Sequence, residues 1–327
     1  MTQLTTIFAV IVLNLTFITF ARAEMSVYSR AEQTFSTAVI LTNSDVITFG
    51  VQDFNPNAIT PFQDENLGDD QSLNLRSRVA VTTFPYSWEL DGATERFHHE
   101  FSVRASYVYF ENKTRLDDRP DIPADLDVNK VYSGYAGYNL IFNITDNWRV
   151  LYGLGSHFMY YENTHSYNSS ESQNMQPTLD GAAYNTSSRA YIAQPHLAFD
   201  YKFQRKWGYW RYTSDLNYFY GKSWDKEHRY DSGNPNGWYL VNGIKANYNM
   251  TNWAGYIPSM YTSFKRVDLG GDPVASFGTE HYYEFSLGWL LTPPILRDWV
   301  DNVGIGINVN YGSALKGGSL VLFFNQD

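Results

Sequence analysis

Apolar and polar side chains alternate along most of this chain. In the segment 303–311, Val, Ile and Tyr occupy the odd positions and Gly and Asn occupy the even ones. A similar period of two runs through 283–291 and 210–220. Because successive side chains of a strand point to opposite faces, this alternation predicts strands with one apolar and one polar face.

The length of the alternating runs separates two all-β architectures. Many runs extend over roughly 12–17 residues, whereas globular strands usually have about 5–6 residues and a tilted membrane strand needs roughly 9–11. The length therefore favours a membrane barrel over a soluble sandwich. The predicted strands span about 45–54, 73–90, 94–112, 128–144, 148–163, 188–204, 207–224, 237–251, 254–267, 280–292, 302–313 and 317–325.

The connections between these strands alternate in character. Long polar connections are predicted at 55–72, 113–127, 164–187, 225–236 and 268–279, and tight ones at 91–93, 145–147, 205–206 and 251–252. Two connections, 292–301 and 312–316, depart from this alternation. Long outer loops and short periplasmic turns are typical of outer-membrane barrels. The sequence thus predicts an all-β fold, a closed antiparallel transmembrane β-barrel of about 12 strands, with both ends of the chain on the side of the tight turns.

The N-terminal region carries two further signals. An apolar run at 7–20, too short to span a membrane, precedes Ala21-Arg22-Ala23, so residues 1–23 are predicted to be a secretory signal peptide. Within 24–44, Ser29-Arg30-Ala31-Glu32 has the form of a capping box and predicts a short helix near 30–40, which could lie in the lumen. The alternative is an early start of the first strand. The barrel itself is assigned to 45–327.

Composition narrows the class of protein further. Mean hydropathy is −0.38, too polar for a helical membrane protein. The net charge is −10, and cleavage after Ala23 would remove one more positive charge. We therefore expect no nucleic-acid partner. The chain has no cysteine, so disulfides cannot stabilise it. As a separate expectation, we predict no cofactor.

Aromatic residues cluster at two levels of the predicted strands. The chain holds 26 Tyr and 9 Trp, and a spanning barrel needs an aromatic girdle at each membrane interface. The residues near the long connections are Tyr107, Tyr109, Tyr160, Tyr161, Tyr218, Tyr220, Tyr282 and Tyr283. Those near the tight turns are Trp88, Phe142, Trp148, Trp207 and Trp253.

The last strand carries Leu320, Leu322 and Phe324 on one face. Twelve long strands, the predicted N-terminal helix and this last strand together resemble the autotransporter β-domain. The resemblance implies that the last strand is the terminal aromatic signal read by the outer-membrane assembly machinery. Three residues, 325–327, follow Phe324, where that family usually stops at the aromatic. About 21 residues separate Ala23 from the first strand, too few for a passenger. The chain thus resembles the solitary autotransporter-like barrel domains of Gram-negative gammaproteobacteria, which implies an outer-membrane location.

Eight charged residues are predicted to face the lumen: Arg76, Arg78, Glu100, Arg104, Arg149, Asp215, Lys245 and Lys265. Charges within the hydrocarbon span are costly unless they pair or meet water. Two interpretations remain open at this point. The charges line a pore and set its ion selectivity, or they form ion pairs that fill the barrel and hold a lumen helix.

The functional prediction is a non-enzymatic barrel that serves as a channel or as a surface structural and interaction protein. Its expected partners are outer-membrane lipid, lipopolysaccharide and the assembly machinery. One alternative is a phospholipase- or protease-like hydrolase, since His165, Ser166 and Asn168 superficially resemble a catalytic set, although their spacing is wrong. Another is an adhesin or phage receptor that acts through loops such as 164–187. The acidic loops 63–70 and 116–127 are expected to be solvated.

Overall fold

The computed structural model describes most of the chain. The described residues are 29–43, 47–58, 64–67, 79–90, 92, 94, 96–114, 124–181, 184–224, 233–250, 257–292, 302–314 and 316–324. The predicted signal peptide, Trp253, Arg76 and Arg78 lie outside them, and so does the loop segment 68–70.

Twelve strands form one antiparallel sheet. Their bounds are β1 Ile47–Phe54, β2 Val79–Glu89, β3 Phe97–Thr114, β4 Asp125–Asn143, β5 Trp148–Ser166, β6 Ser187–Arg205, β7 Gly208–Trp224, β8 Asn236–Asn249, β9 Ile257–Gly271, β10 His281–Thr292, β11 Val303–Tyr311 and β12 Gly317–Phe324. From β2 to β12 each strand pairs with the next along the chain, and β12 also pairs with β1. β1 in turn contacts β2, which brings the two ends of this order together.

Within the described residues, three α-helices and one 3-10 turn accompany the strands. They are α1 Ser29–Leu41, α2 Ser170–Leu179, α3 Pro273–Phe277 and the turn Pro56–Ala58. The capping-box pattern thus placed α1 within one residue at either end. Among the described residues, none of the helices is both long and apolar enough to cross a membrane.

Burial along β4 shows which face of the sheet is which. Ser133 and Asn139 are buried. Tyr132 and Tyr138, which directly precede them along the strand, are 45% and 38% exposed. The polar face therefore points inward and the apolar face outward, the reverse of a protein dissolved in water. This inversion fits a barrel whose outer surface meets lipid.

The aromatic prediction holds for the described residues near the tight turns, since Trp88, Phe142, Trp148 and Trp207 are 39–47% exposed, and it holds for part of the set near the long loops. Tyr132 and Tyr220 lie on the exposed face, and the rings of Tyr107 and Tyr132 are 5.1 Å apart. Tyr161 and Tyr282, which were also assigned to a girdle, are buried inside. Since adjacent strand residues face opposite ways, a Tyr-Tyr pair cannot place both rings in lipid.

Helix α1 lies inside the barrel. Phe35, Ala38 and Val39 are completely buried. They belong to one apolar cluster with inward side chains of the strands, namely Val108, Val131, Met159, Tyr161, Ala190, Ile192, Phe219, Tyr239, Val267, Leu269 and Tyr282. All of these strand residues lie in the half of the barrel nearer the long loops. The helix, about 20 Å long at 1.5 Å per residue, fills that half.

The direction of α1 differs from the expectation that both chain ends lie beside the tight turns. That expectation holds for the strands, since Ile47 of β1 pairs with Phe324 of β12 at the tight-turn end. Ser29, however, begins α1 at the long-loop end, where Arg30 meets Asp127. An even strand count fixes only the strand ends. A helix that runs through the lumen before β1 reverses the side on which the described chain begins.

Candidate functional site

The outer end of α1 is held by a buried ion pair. The guanidinium of Arg30 donates to the carboxylate of Asp127, which is 1% exposed. Asn129 and Asn163 also donate to this carboxylate through their side-chain nitrogens, at 3.0 and 2.8 Å. These donors satisfy a charge that would be costly to bury alone. Asp127 had been assigned to a solvated acidic loop, which is wrong here because β4 begins at Asp125 and turns position 127 inward.

Arg30 also joins the helix to the loop between β5 and β6. Its guanidinium lies over the ring of Tyr184, at 4.6 Å from the centroid. The ring of His165 is 3.8 Å from that of Tyr184, and His165 Nδ1 is 3.4 Å from Asp127. This loop also carries α2, whose Ser169 and Ser172 form a reciprocal capping box. The loop between β5 and β6 is therefore packed onto α1 rather than fully solvated.

Two further loops contact α1. The backbone N–H of Asn234 donates to Glu32 Oε1 at 2.9 Å. The Ser36 hydroxyl donates to Asp272 Oδ2 at 3.2 Å, and the N–H of Asn236 donates to the same oxygen at 2.7 Å. Burial raises the pKa of Asp272, and the two hydrogen bonds only partly oppose this rise. The helix is thus tied to three of the long loops.

The inner end of the α1 segment meets Arg104. The Arg104 guanidinium donates to Asn43 Oδ1 and lies 3.9 Å from the ring centroid of Tyr135. The Tyr135 ring crosses Gly137 and Gly155, and a Cβ at either glycine would collide with it. These two glycines leave the space that lets an aromatic ring lie flat against the inner wall beside the cation.

Hydrogen bonds continue around the wall from this point. His157 Nε2 lies 2.6 Å from Gln194 Oε1, and Gln194 Nε2 donates to Asn217 at 2.7 Å and to the Tyr239 hydroxyl at 2.8 Å. Ser133 Oγ lies 3.5 Å from His157 Nδ1. We name the residues Ser133, His157, Gln194, Asn217 and Tyr239 the lumen belt. The belt adjoins the apolar cluster, to which Tyr239 also belongs, and it crosses β4 to β8.

Nearer the tight turns, a second row of polar side chains carries charges. Asn139 donates to Glu100 Oε1 at 3.0 Å, and its Oδ1 lies 3.0 Å from His196 Nε2. His196 Nδ1 is 3.5 Å from Asp215. The contacts with Glu100 and Asp215 join neighbouring strands, and the Asn139–His196 contact crosses β5 at Gly153, so the row braces the wall.

Asp200 is the centre of another ion-pair group in this row. Arg149 Nε lies 2.5 Å from its carboxylate, and Arg211 Nε lies 3.6 Å away. Thr213 donates to the same carboxylate at 3.1 Å. The carboxylate thus draws together three strands, β5, β6 and β7.

The structure places six of the eight predicted charges on inward positions of the strands. Glu100, Arg104, Arg149 and Asp215 have the contacts given above. Lys265 Nζ is 3.7 Å from Glu284, and Lys245 Nζ is 5.7 Å from the ring centroid of Tyr261. Arg76 and Arg78 lie outside the described residues. The six therefore do not form one cluster but pair locally with neighbours.

Sequence reasoning missed the partners of these charges. Asp127, Asp200 and Glu284 occupy the same inward parity as the predicted residues, so alternation alone could have found their face. Their pairing depends on strand register, such as Arg149 opposite Asp200 and Lys265 opposite Glu284. Register is set by whole strand pairs, and single-strand patterns do not reveal it.

The residues considered for hydrolysis are not assembled as a catalytic set. His165 turns inward toward Asp127, whereas the Ser166 hydroxyl, on the opposite parity, contacts the backbone of Leu126. His98 faces Glu89 inside, and His99 faces Tyr138 outside. Within the described part of the chain, no group of three His, Asp or Glu residues could hold a metal ion.

The apolar exterior, the polar lumen and the contrast between long and tight connections define a β-barrel of the outer membrane. The chain belongs to the family of solitary outer membrane autotransporter beta-barrel domains, whose model matches residues 32–326. The predicted fold, family and Gram-negative outer-membrane location are confirmed.

Solved structures with similar folds share little sequence with this chain. The β domain of the Bordetella autotransporter Brka has 10% identity and a TM-score of 0.44, covering 75% of this chain and 90% of its own. The transport unit of the autotransporter AIDA-I from Escherichia coli has 10% identity and a TM-score of 0.44, covering 90% and 97%. LpxR from Salmonella typhimurium has 12% identity and a TM-score of 0.42, covering 85% and 97%. No curated protein matches the chain by sequence.

Proposed function

We propose that this protein is a plugged, non-enzymatic barrel that acts as a structural and interaction protein of the cell surface rather than as an open channel. The observation that carries this proposal is the position of α1 in the outer half of the lumen. Of the two interpretations of the lumen charges, the plug agrees with this position.

The first support is the apolar contact between α1 and the wall. Phe35 is completely buried, and its ring lies 5.9 Å from that of Tyr161 in an edge-to-face arrangement. The side chains around it come from strands β3 to β10. This apolar contact favours closure of the lumen along those strands.

The second support is the set of polar contacts at the outer end. Arg30, Glu32 and Ser36 each contact a different long loop, through Tyr184, Asn234 and Asp272. Contacts to three loops hold the helix against both sliding and rotation. The same contacts order the loops, which would give a partner at the cell surface a preformed binding face.

The direction of α1 supports a role in display. The contact of Arg30 with Asp127 shows that the helix begins at the long-loop end. The long loops and the first turn of α1 would together form the outer face of the protein. The barrel would then serve as an anchor for that face, which is the surface-interaction role expected from the sequence.

A conductance measurement tests the plug. The full-length protein in planar bilayers is expected to show no sustained conductance. Phe35→Ala removes a ring from the apolar cluster, and such a truncation typically costs about 3–5 kcal/mol. We expect frequent openings in this variant. The matched control is Phe199→Ala, since Phe199 is 37% exposed on the outer wall.

The outcomes separate the two roles. A steady ohmic conductance of the unmodified protein would contradict the plug and favour a channel. Equal, rare openings in Phe35→Ala and Phe199→Ala, with both variants folded by heat-dependent gel mobility, would show that α1 does not close the pore.

A further inference from the structure

Part of the loop between β1 and β2 folds back over the outside of the barrel. Leu67 closes a turn through its N–H to the carbonyl of Asp64, at 3.0 Å. Gly312, in the connection after β11, donates its N–H to the carbonyl of Asn66 at 3.2 Å. The Tyr311 hydroxyl donates to Asp64 Oδ2 at 3.1 Å. These bonds fix Leu67 above the outward faces of the neighbouring strands.

Beneath this turn lies an apolar groove of about 300 Å³. It is lined by Leu67, Phe264, Tyr283, Phe285, Val309 and Tyr311. The five strand residues share one outward face, since Phe285 pairs with both Phe264 and Val309, and Tyr283 pairs with Tyr311. Phe264 and Phe285 are 52% and 41% exposed, so the groove opens outward and not into the lumen.

The position of the groove tells what covers it. Tyr283 is the third residue of β10, and Tyr311 is the last of β11, so the groove lies near the long-loop end. In an outer-membrane barrel this end faces the cell exterior. The groove is therefore continuous with the lipid-facing wall in the outer leaflet, which in Gram-negative bacteria consists of lipopolysaccharide.

Charge at the rim of the groove is nearly balanced. The Arg266 guanidinium lies 5.9 Å from the ring centroid of Tyr283 and is bound by Asp268 at 2.6 to 3.0 Å. Lys316 lies close enough to Asp64 to affect that carboxylate. Two cations at headgroup depth are compatible with a phosphorylated sugar beside them. The neighbouring carboxylates offset their charge, so the groove has no strong net electrostatic attraction for a phosphate. Recognition must therefore come mainly from the apolar lining.

We propose that this groove binds one acyl chain of an outer-leaflet lipopolysaccharide molecule, with Leu67 covering the chain. The volume is at the lower end of the roughly 300–1,000 Å³ range of small-molecule pockets, which suits one chain and not a whole lipid. This turn is closed by one internal hydrogen bond and held to the end of β11 by two more, so it is preorganised for such contact.

Native mass spectrometry of the full-length protein tests the proposal, with purified hexa-acylated lipopolysaccharide and phosphatidylglycerol as separate probes. The unmodified protein should retain one lipopolysaccharide molecule. Val309→Trp fills the groove and should lower the retained fraction at least ten-fold. Ile305→Trp is the matched control, because Ile305 is 53% exposed on the same strand but outside the groove. It should retain lipopolysaccharide as the unmodified protein does.

Leu67→Asp is a second variant that leaves the strands unchanged, and it should also lose the lipid. This variant keeps the proposal testable if Val309→Trp fails to fold. Three outcomes would overturn the proposal. The unmodified protein retains no lipopolysaccharide, the groove variants retain as much as Ile305→Trp, or phosphatidylglycerol is retained equally well and lost in the same variants.

Discussion

Arg30 and Asp127 show how single residues fix the plug. The side chain of Arg30 is one-third exposed, whereas the side chain of Asp127 is 2% exposed. The two charges therefore differ in how far they are removed from solvent. Removal of the arginine leaves a buried carboxylate whose remaining partners are the amides of Asn129 and Asn163 and the His165 ring. Removal of both charges leaves no buried ion, and the site can then be nearly as stable as the original one.

We therefore expect Arg30→Met to lower the free energy of unfolding by about 1–3 kcal/mol, since partial exposure of Arg30 reduces the full cost of an unpaired buried charge. The double variant Arg30→Met/Asp127→Asn should recover most of this loss. Urea titration in detergent micelles measures both. Lys222→Met, on the exposed outer wall, should change stability by no more than about 0.5 kcal/mol.

If the double variant is less stable than the unmodified protein by the sum of the losses in the two single variants, the two residues do not interact. The account of the outer anchor would then be wrong.

At the scale of elements, the positions of the strands could be predicted from the sequence, whereas the residue-by-residue register between neighbouring strands could not. Alternation located β5, which begins at Trp148 as expected, and β12 likewise begins at Gly317. It placed the end of β9 four residues too early, at 267, because Leu269 and Gly271 prolong the strand into a stretch interpreted as loop. The short helix α3 was also missed, since its five residues are too few for a helical period.

α1 illustrates the same limit. Its capping box fixed its position in the sequence, but nothing in the pattern indicates which end of the barrel it faces. That direction comes from contacts with loops that are distant in sequence, such as Asn234 and Asp272. The assembly signal assigned to Leu320, Leu322 and Phe324 stays a prediction, although Leu322 does lie on the exposed face of β12.

The contact between α1 and α3 has a predictable dependence on pH. Burial raises the pKa of Asp272 from its ordinary value of 3.8, so the folded protein binds this proton more tightly than the unfolded chain. Ionisation of Asp272 therefore opposes folding, and its penalty disappears as the pH falls through the raised pKa toward 3.8.

Asp272→Asn keeps an oxygen that accepts from Ser36 and Asn236 but cannot ionise. We expect it to be more stable than the unmodified protein at pH 7, with the difference shrinking on acidification. Unfolding midpoints between pH 7 and pH 4 measure this difference. A difference that stays constant over the range would show that Asp272 is not the titrating group.

At the scale of the whole molecule, the lumen is divided into two halves. An apolar helix fills the half beside the long loops, and paired charges such as Arg149 and Asp200 brace the half beside the tight turns. The sequence left a pore lining and a filled barrel as alternatives, because charges on an inward face serve either one. Only the position of α1 separates them, and that position is the central claim about this protein.

Cysteine labelling tests this claim directly, because the chain has no cysteine of its own. Single variants are treated in intact cells with a membrane-impermeant maleimide. Asn174→Cys on α2 is the control for the outer side, and Asp146→Cys in a tight turn is the control for the periplasmic side. The account predicts that Ser29→Cys is labelled as Asn174→Cys is, and that Ala38→Cys reacts only after unfolding, since Ala38 is completely buried. Labelling of Ser29→Cys only in permeabilised cells, or rapid labelling of Ala38→Cys in the folded protein, would contradict it.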